Sequence, residues 1–220
     1  MYEWDFSILW GYRWLFLQGL GVTVAFTAAT IAGGLTIGMT AAICLLSRFR
    51  LLRGFALGFI EIFRCTPVLV QLIWCYYALP LIAGIEMTPI TASLLALSCY
   101  GGSFYAEIIR GGIVSIDAGQ SEAASALGMT PGLAMRRIIL PQALRRMLPA
   151  LMNQSILQFK NTSLVSVLAV PDLVYQGQIA AHDNFRPLET YTAVAVAYFA
   201  ILFPLTIYVR SRERRLGAAR

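Results

Sequence analysis

Charge is what this sequence has least of. Only 13% of its 220 residues are charged, where a soluble domain carries about a quarter, and 58% are hydrophobic. Side chains that do chemistry are equally scarce, with one histidine, His182, and one lysine, Lys160. A lone histidine cannot build a metal site, so His182, set among polar residues, reads as a solvated surface group. Cys44, Cys65, Cys75 and Cys99 have neither zinc spacing nor places for an outer disulfide, and they read as small apolar packing residues. A phosphate-binding loop ends in Gly-Lys-Ser/Thr, but Lys160 is followed by Asn161, so the chain has no nucleotide site. No catalytic triad and no carboxylate pair for acid–base work is present. The start, Met1-Tyr2-Glu3-Trp4-Asp5, is acidic where a cleaved signal peptide would be basic. Asn161-Thr162-Ser163 matches the glycosylation pattern but lies in an apolar stretch, and reads as chance. These absences exclude a soluble enzyme and a disordered tail. If the protein moves something uphill, the energy comes from an ion gradient or a partner ATPase.

Long apolar runs take the place of charge. No charge lies between Arg13 and Arg48, nor within 65–85, 87–106 or 190–209, and 147–171 carries only Lys160. Each run is long enough for the ~20 residues that cross a bilayer core. They are apolar on all faces and do not alternate with period two, which selects helices over barrel strands. The expected fold is all-α and membrane-integral, with five spans at about 19–46, 60–82, 88–108, 148–170 and 189–209. Thirteen of the 17 basic residues fall in one set of connections: Arg48, Arg50 and Arg53; Arg110, Arg136, Arg137, Arg145 and Arg146; Arg210, Arg212, Arg214, Arg215 and Arg220. Arg13 and Arg186 lie on the opposite side. Basic loops stay cytoplasmic, so 1–18 is expected outside, 19–209 forms one transmembrane domain, and 210–220 is a basic inner tail. The net charge of +6 then reflects topology and contact with anionic lipid, with no need for nucleic acid.

The longest inner connection, 111–146, is the most informative segment. Ser121 to Leu127 is good helix material closed by Gly128. Thr130 is placed to cap a second helix with Pro131 at its first position, running to about Leu140 before Pro141 breaks or kinks it. Taken alone, this knuckle could instead be an amphipathic hairpin lying on lipid. Lys160 sits near mid-span, where a charge costs roughly 2.5–3.5 kcal/mol; it reads either as a pathway or gate residue or as half of a structural ion pair. Asn161, Thr162 and Ser163 beside it could contact the head of an amino acid or bond back to their own helix. Glu61 and Arg64, and Glu107 and Arg110, are each three apart on one helix face. They form local salt bridges or brace an inner gate. Gly34 and Gly38, and Gly54 and Gly58, are spaced for close helix contact, which for the first pair reads as ordinary packing. No internal repeat of the kind that lets one chain form a pathway alone is visible, so a second subunit is expected.

The spacing Glu122-Ala123-Ala124, three residues, Gly128, nine residues, Ile138, one residue, Leu140-Pro141 resembles the "EAA" loop of ATP-binding-cassette (ABC) importer permeases. Further matches follow in order. Phe63-Arg64-Cys65-Thr66-Pro67-Val68-Leu69-Val70-Gln71 resembles the "FRGTPLLVQ" stretch of the polar amino acid subfamily, with Cys65 where glycine is usual. Tyr105 to Ile113, Leu140-Pro141-Gln142-Ala143 and Lys160-Asn161-Thr162-Ser163-Leu164 are similar to later segments of that subfamily. The resemblance covers essentially the whole chain. It implies a type I importer transmembrane domain whose coupling helix, through Glu122, Ala123, Ala124 and Gly128, docks on an ATPase. It also implies two cytoplasmic ATPase subunits that bind the ATP and Mg, a second permease subunit, identical or homologous, and a periplasmic amino-acid-binding protein, with no cofactor held by this chain. By the same resemblance the chain is a non-catalytic, multi-pass protein of the bacterial inner membrane. Lys160, Asn161, Thr162, Ser163, Glu107, Arg110, Glu61, Arg64, Thr66 and Pro67 are its candidate pathway or gate residues. The start of the chain and its length look most like permeases of glutamate/aspartate importers; glutamine, arginine and histidine are the alternative substrates. Rival readings are a gradient-driven carrier or channel subunit using Lys160, Glu107 and Glu61, and a membrane scaffold.

Overall fold

The computed structural model describes residues 2–217, with side chains as far as Arg212. The side chains of Arg214 and Arg215, and Arg220 with the end of the basic tail, lie outside the described residues, as does Met1. The described residues are helical almost throughout, from a short turn at Ser7–Trp10 onward. Helix α1, Arg13–Leu46, has 34 residues and so is about 50 Å long. Its buried positions, Gly19, Thr23, Thr27, Thr30, Gly34, Gly38, Ala42 and Leu45, step by three or four and are mostly small. Threonine hydroxyls along it bond back to the helix, Thr23 to Gly19 O at 3.0 Å and Thr27 to Thr23 O at 2.8 Å, which removes bare polar groups from an apolar setting.

Small residues on α1 bring it against α4, Pro89–Val114. A Cβ on Gly38 would lie 2.6 Å from Tyr105 Cβ and 3.0 Å from Ala106 N, and one on Gly34 would lie 3.1 Å from Tyr105 Cε2. Gly34 and Gly38 therefore serve packing within the chain. Gly54 and Gly58 are a correction, because nothing stands within 4 Å of a Cβ at either. Helix α4 also packs on the helices Arg50–Cys65, Val68–Ala83 and Leu140–Asn161, and the buried Tyr105, Ala96, Leu97, Ala106 and Ile109 place it at the centre of the bundle.

The expected straight span at 60–82 is two helices. Helix α2, Arg50–Cys65, and α3, Val68–Ala83, meet at 108°. Pro67 has no N–H and keeps Thr66 out of the helical region, at φ −108°, ψ 141°. The broken ladder is closed by Gln71, whose Nε2 donates to Phe63 O at 2.8 Å, Thr66 O at 3.0 Å and Thr66 Oγ1 at 2.7 Å. At the other end, Gly84 stops α3 at φ 65°.

Helix α4 opens on a capping box between Thr88 and Thr91. After it come α5, Ala118–Ala126, and α6, Pro131–Ala134. Pro141 was expected to break or kink the second knuckle helix, but helical structure runs on through it, and Thr130 makes no side-chain cap. A π-turn at Met135–Ile139, closed by Leu140 N–H to Met135 O, leads directly into α7, Leu140–Asn161. The wider turn accommodates a ring that would clash with the carbonyl four residues back. Helix α7 continues as a 3-10 segment, Thr162–Leu168. After Ala169, at φ 57°, Asp172 caps α8, Leu173–Asn184, which is inclined at 48° to the preceding unit. Helix α9, Pro187–Gly217, completes the fold. His182, expected in a loop, is an exposed residue of the last turn of α8.

Among the described residues, three helices are long and apolar enough to cross a membrane: Arg13–Leu46, Pro89–Val114 and, within α9, Pro187–Arg212. Five is reached when each bent pair, α2 with α3 and 131–168 with α8, counts as one span.

Candidate functional site

The knuckle between α4 and α7 starts at Asp117, whose Oδ1 accepts from Gly119 N at 2.7 Å and so satisfies a free amide of the first turn of α5. Its far end is a Schellman turn. Gly128 adopts φ 74°, Gly128 N donates to Ser125 O at 2.9 Å, and Met129 N donates to Ala124 O at 3.0 Å. On this helix Glu122 and Ala123 face outward, Ala124 is buried against the rest of the chain, and Leu127 is 80% exposed. Glu122, Ala123 and Leu127 make up its exposed face, while Ala124 and Gly128 hold the shape. Leu127 was missed in the sequence; its signal is an apolar residue immediately before the bend glycine.

One bond ties the knuckle to α7, and a second ties the end of α4 to it. Gln142 Nε2 donates to Gln120 Oε1 at 3.1 Å, and the Arg146 guanidinium donates to Ser115 O. Gln142 also bonds Ile138 O at 3.0 Å, across the π-turn. Helix α5 is thus joined to the start of a helix that runs on, through the 3-10 segment, to Leu168.

The candidate pathway residues separate into groups. Glu107 and Arg110 form the expected ion pair, Nη2 to Oε2 at 3.0 Å and Nε to Oε1 at 3.1 Å. Glu61 and Arg64 do not. Arg64 stacks its guanidinium 5.6 Å from the centre of the Phe104 ring, and Glu61 accepts from Cys65 Sγ at 3.5 Å, because α2 turns their shared face outward. Lys160 is exposed on the isolated chain, and no carboxylate among the described residues pairs with it, so the intrachain ion pair is set aside. Thr162 is fully buried and donates to Phe159 O at 2.7 Å, Ser163 donates to Lys160 O at 2.7 Å, and Asn161 is half-buried. Both hydroxyls are therefore spent on their own helix.

A buried polar stripe on α7 escaped notice. Gln154, Gln158 and Thr162 are four apart and face inward. That spacing, polar residues on one face of an apolar run, was the available signal. Gln158 Nε2 donates to Leu97 O of α4 at 2.8 Å and packs on Gly101. Around the α2–α3 bend, Thr66 and Gln71 line a cavity of about 270 Å³ walled by Ile62, Phe63, Val70 and Trp74. Thr66 Oγ1 is also bonded to Ile62 O at 2.7 Å, and Pro67 supplies the bend itself.

Apolar helices of membrane-crossing length, with a polar knuckle pinned to one of them, are the frame of a membrane-integral protein. The chain belongs to the family of binding-protein-dependent transport system inner membrane components, whose pattern it matches over residues 34–218. It is 40% identical over 215 residues to the glutamine transport system permease protein GlnP of Escherichia coli K12, covering 97% of this chain and 98% of that one. It is 32% identical over 200 residues to the arginine transport system permease protein ArtQ of Bacillus subtilis, covering 91% of each. A solved amino acid ABC transporter, determined with histidines, superposes with a TM-score of 0.90 at 36% identity, covering 97% of this chain and all of that one. The MetNI methionine transporter, at a TM-score of 0.76 and 21% identity, shares the fold. The chain is the permease component of an amino-acid ABC importer.

Proposed function

We propose that this permease carries a polar amino acid inward across the bacterial inner membrane, with glutamine ahead of glutamate and aspartate. The observation that carries the transport reading is the rigid knuckle, which offers Glu122, Ala123 and Leu127 outward while bonded to α7 behind. Two partner ATPases, which bind and hydrolyse the ATP, seat on the knuckles of two permease subunits, and their closure moves α7 against α4. A binding protein delivers substrate to the outer face, the side of the N-terminus, and the knuckle and basic tail lie inside. The ranking of glutamine rests on the extent of the match to the glutamine permease. The case for glutamate and aspartate weakens, since the one cation proposed to receive their carboxylates, Lys160, is not gathered into a buried site of this chain.

The test is uptake into proteoliposomes holding this chain with its permease partner, ATPase and binding protein. Labelled glutamine, glutamate, aspartate, arginine and histidine are offered in turn. ATP-dependent uptake of glutamine, lost in Glu122→Lys while the complex stays assembled, is the expected result. Uptake confined to another of the five reassigns the substrate, and uptake indifferent to Glu122→Lys removes the knuckle from the mechanism.

A further inference from the structure

Four elements meet at Asp172, which the transport reading leaves unused. It stands in the link between the 3-10 segment and α8, has no exposed surface, and spends Oδ1 on Tyr175 N at 2.9 Å as the cap of α8. Its other oxygen, Oδ2, is buried without a hydrogen-bond partner. So is the hydroxyl of Tyr198 on α9, which lies close to Asp172, Thr23 and Thr162 without completing a bond. Helix α1 closes the site: Thr23 Oγ1 accepts from Leu173 N at 3.1 Å, and Gly19 leaves room for the Asp172 backbone, 3.0 Å from where a Cβ would stand. The groups packed around the pair are Gly19 and Thr23 from α1, Thr162 from the 3-10 segment, Tyr175 and Gln176 from α8, and the Tyr198 phenol from α9. None is cationic, and no basic side chain pairs with Asp172 among the described residues.

A carboxylate sealed from water without a countercharge is far more costly than the neutral acid. We propose that Asp172 is a proton-binding site, a neutral acid in the closed joint, and that release of this proton to water loosens the joint between α8, α9 and α1. With the proton in place Oδ2 carries no bare charge, while Oδ1 keeps the cap bond from Tyr175 N. Without it a bare charge sits where α8 turns away from the α7 unit, and α8 moves toward water.

The assembled complex is compared as wild type, Asp172→Asn and Tyr198→Phe by infrared difference spectroscopy across pH. Asn keeps the cap acceptor and cannot ionise. The expected result is a protonated-carboxyl C=O band at neutral pH that Asp172→Asn lacks and Tyr198→Phe shifts. Wild-type uptake should also fall by roughly tenfold per pH unit once this group titrates, a step that Asp172→Asn lacks. Absence of the band at every pH overturns the proposal, as does a complex that fails to assemble with Asp172→Asn yet assembles with Asp172→Glu. The spectrum does not depend on which amino acid is carried, so its outcome is separate from that of the transport test.

Discussion

Single atoms decide the behaviour of the glycines. Gly38 and Gly54 each sit in a Gly-x-x-x-Gly pair, yet of the two only Gly38 has backbone and the Tyr105 Cβ pressed against it. Gly38→Ala should destabilise the chain by about 1–3 kcal/mol, the usual range for overpacking, because Tyr105 Cβ and Ala106 N cannot rotate away. Gly54→Ala should be neutral or stabilising by up to about 1 kcal/mol through helix propensity. Melting temperatures of the two variants in one detergent check both, and equal shifts would contradict the assigned packing. The spacing was legible in the sequence, but its meaning was not, since the motif is silent about which helix lies opposite. Lys160 teaches the same lesson: its depth along the chain was readable, and its outward direction depended on how α7 is rotated against α4.

At the scale of elements, Thr66-Pro67 and Pro141 show how one residue type produces two outcomes. Before α3 the proline breaks the helix by 108°, and Gln71 fills the gap with its two amide hydrogens shared among three acceptors. Gln71→Leu should cost about 1–3 kcal/mol for each backbone carbonyl left bare, read as a lowered melting temperature and faster proteolysis at the bend. Leu at exposed Val70 should leave both unchanged. At α7 the proline is absorbed in a π-turn and the helix continues. Both prolines were visible; whether a helix bends or widens depends on the side chains that reach the freed carbonyls, which sequence spacing alone does not reveal.

Across the whole molecule, the knuckle and α7 act as one lever only while Gln120–Gln142 and Arg146–Ser115 hold. The double variant Gln142→Ala, Arg146→Ala should therefore hydrolyse ATP in the complex while uptake per ATP falls about fivefold or more, the lower end of typical coupling energies. Unchanged stoichiometry would show that force enters elsewhere. Orientation is checked separately with single cysteines in a chain whose four native cysteines are replaced. A membrane-impermeant thiol reagent should reach Ser7→Cys in intact cells and Ser121→Cys only after permeabilisation. The reverse pattern would invert the topology.

The sequence by itself determined the class of molecule. Charge-free runs of bilayer length leave helices as the one economical way to satisfy the backbone, and the Glu122 to Pro141 spacing marked the knuckle before any coordinates. The tertiary structure decided which faces are inside. It buried Gln154, Gln158, Thr162 and Asp172, left Lys160 exposed, separated Glu61 from Arg64, and turned Ala124 inward beside an outward Glu122. In the long apolar helices such as α1 and α3 hydrophobicity is nearly uniform around the axis, so rotation is set by close packing of small residues and by bonds between distant polar groups. Those are properties of pairs of helices, and they come into being only when the bundle forms.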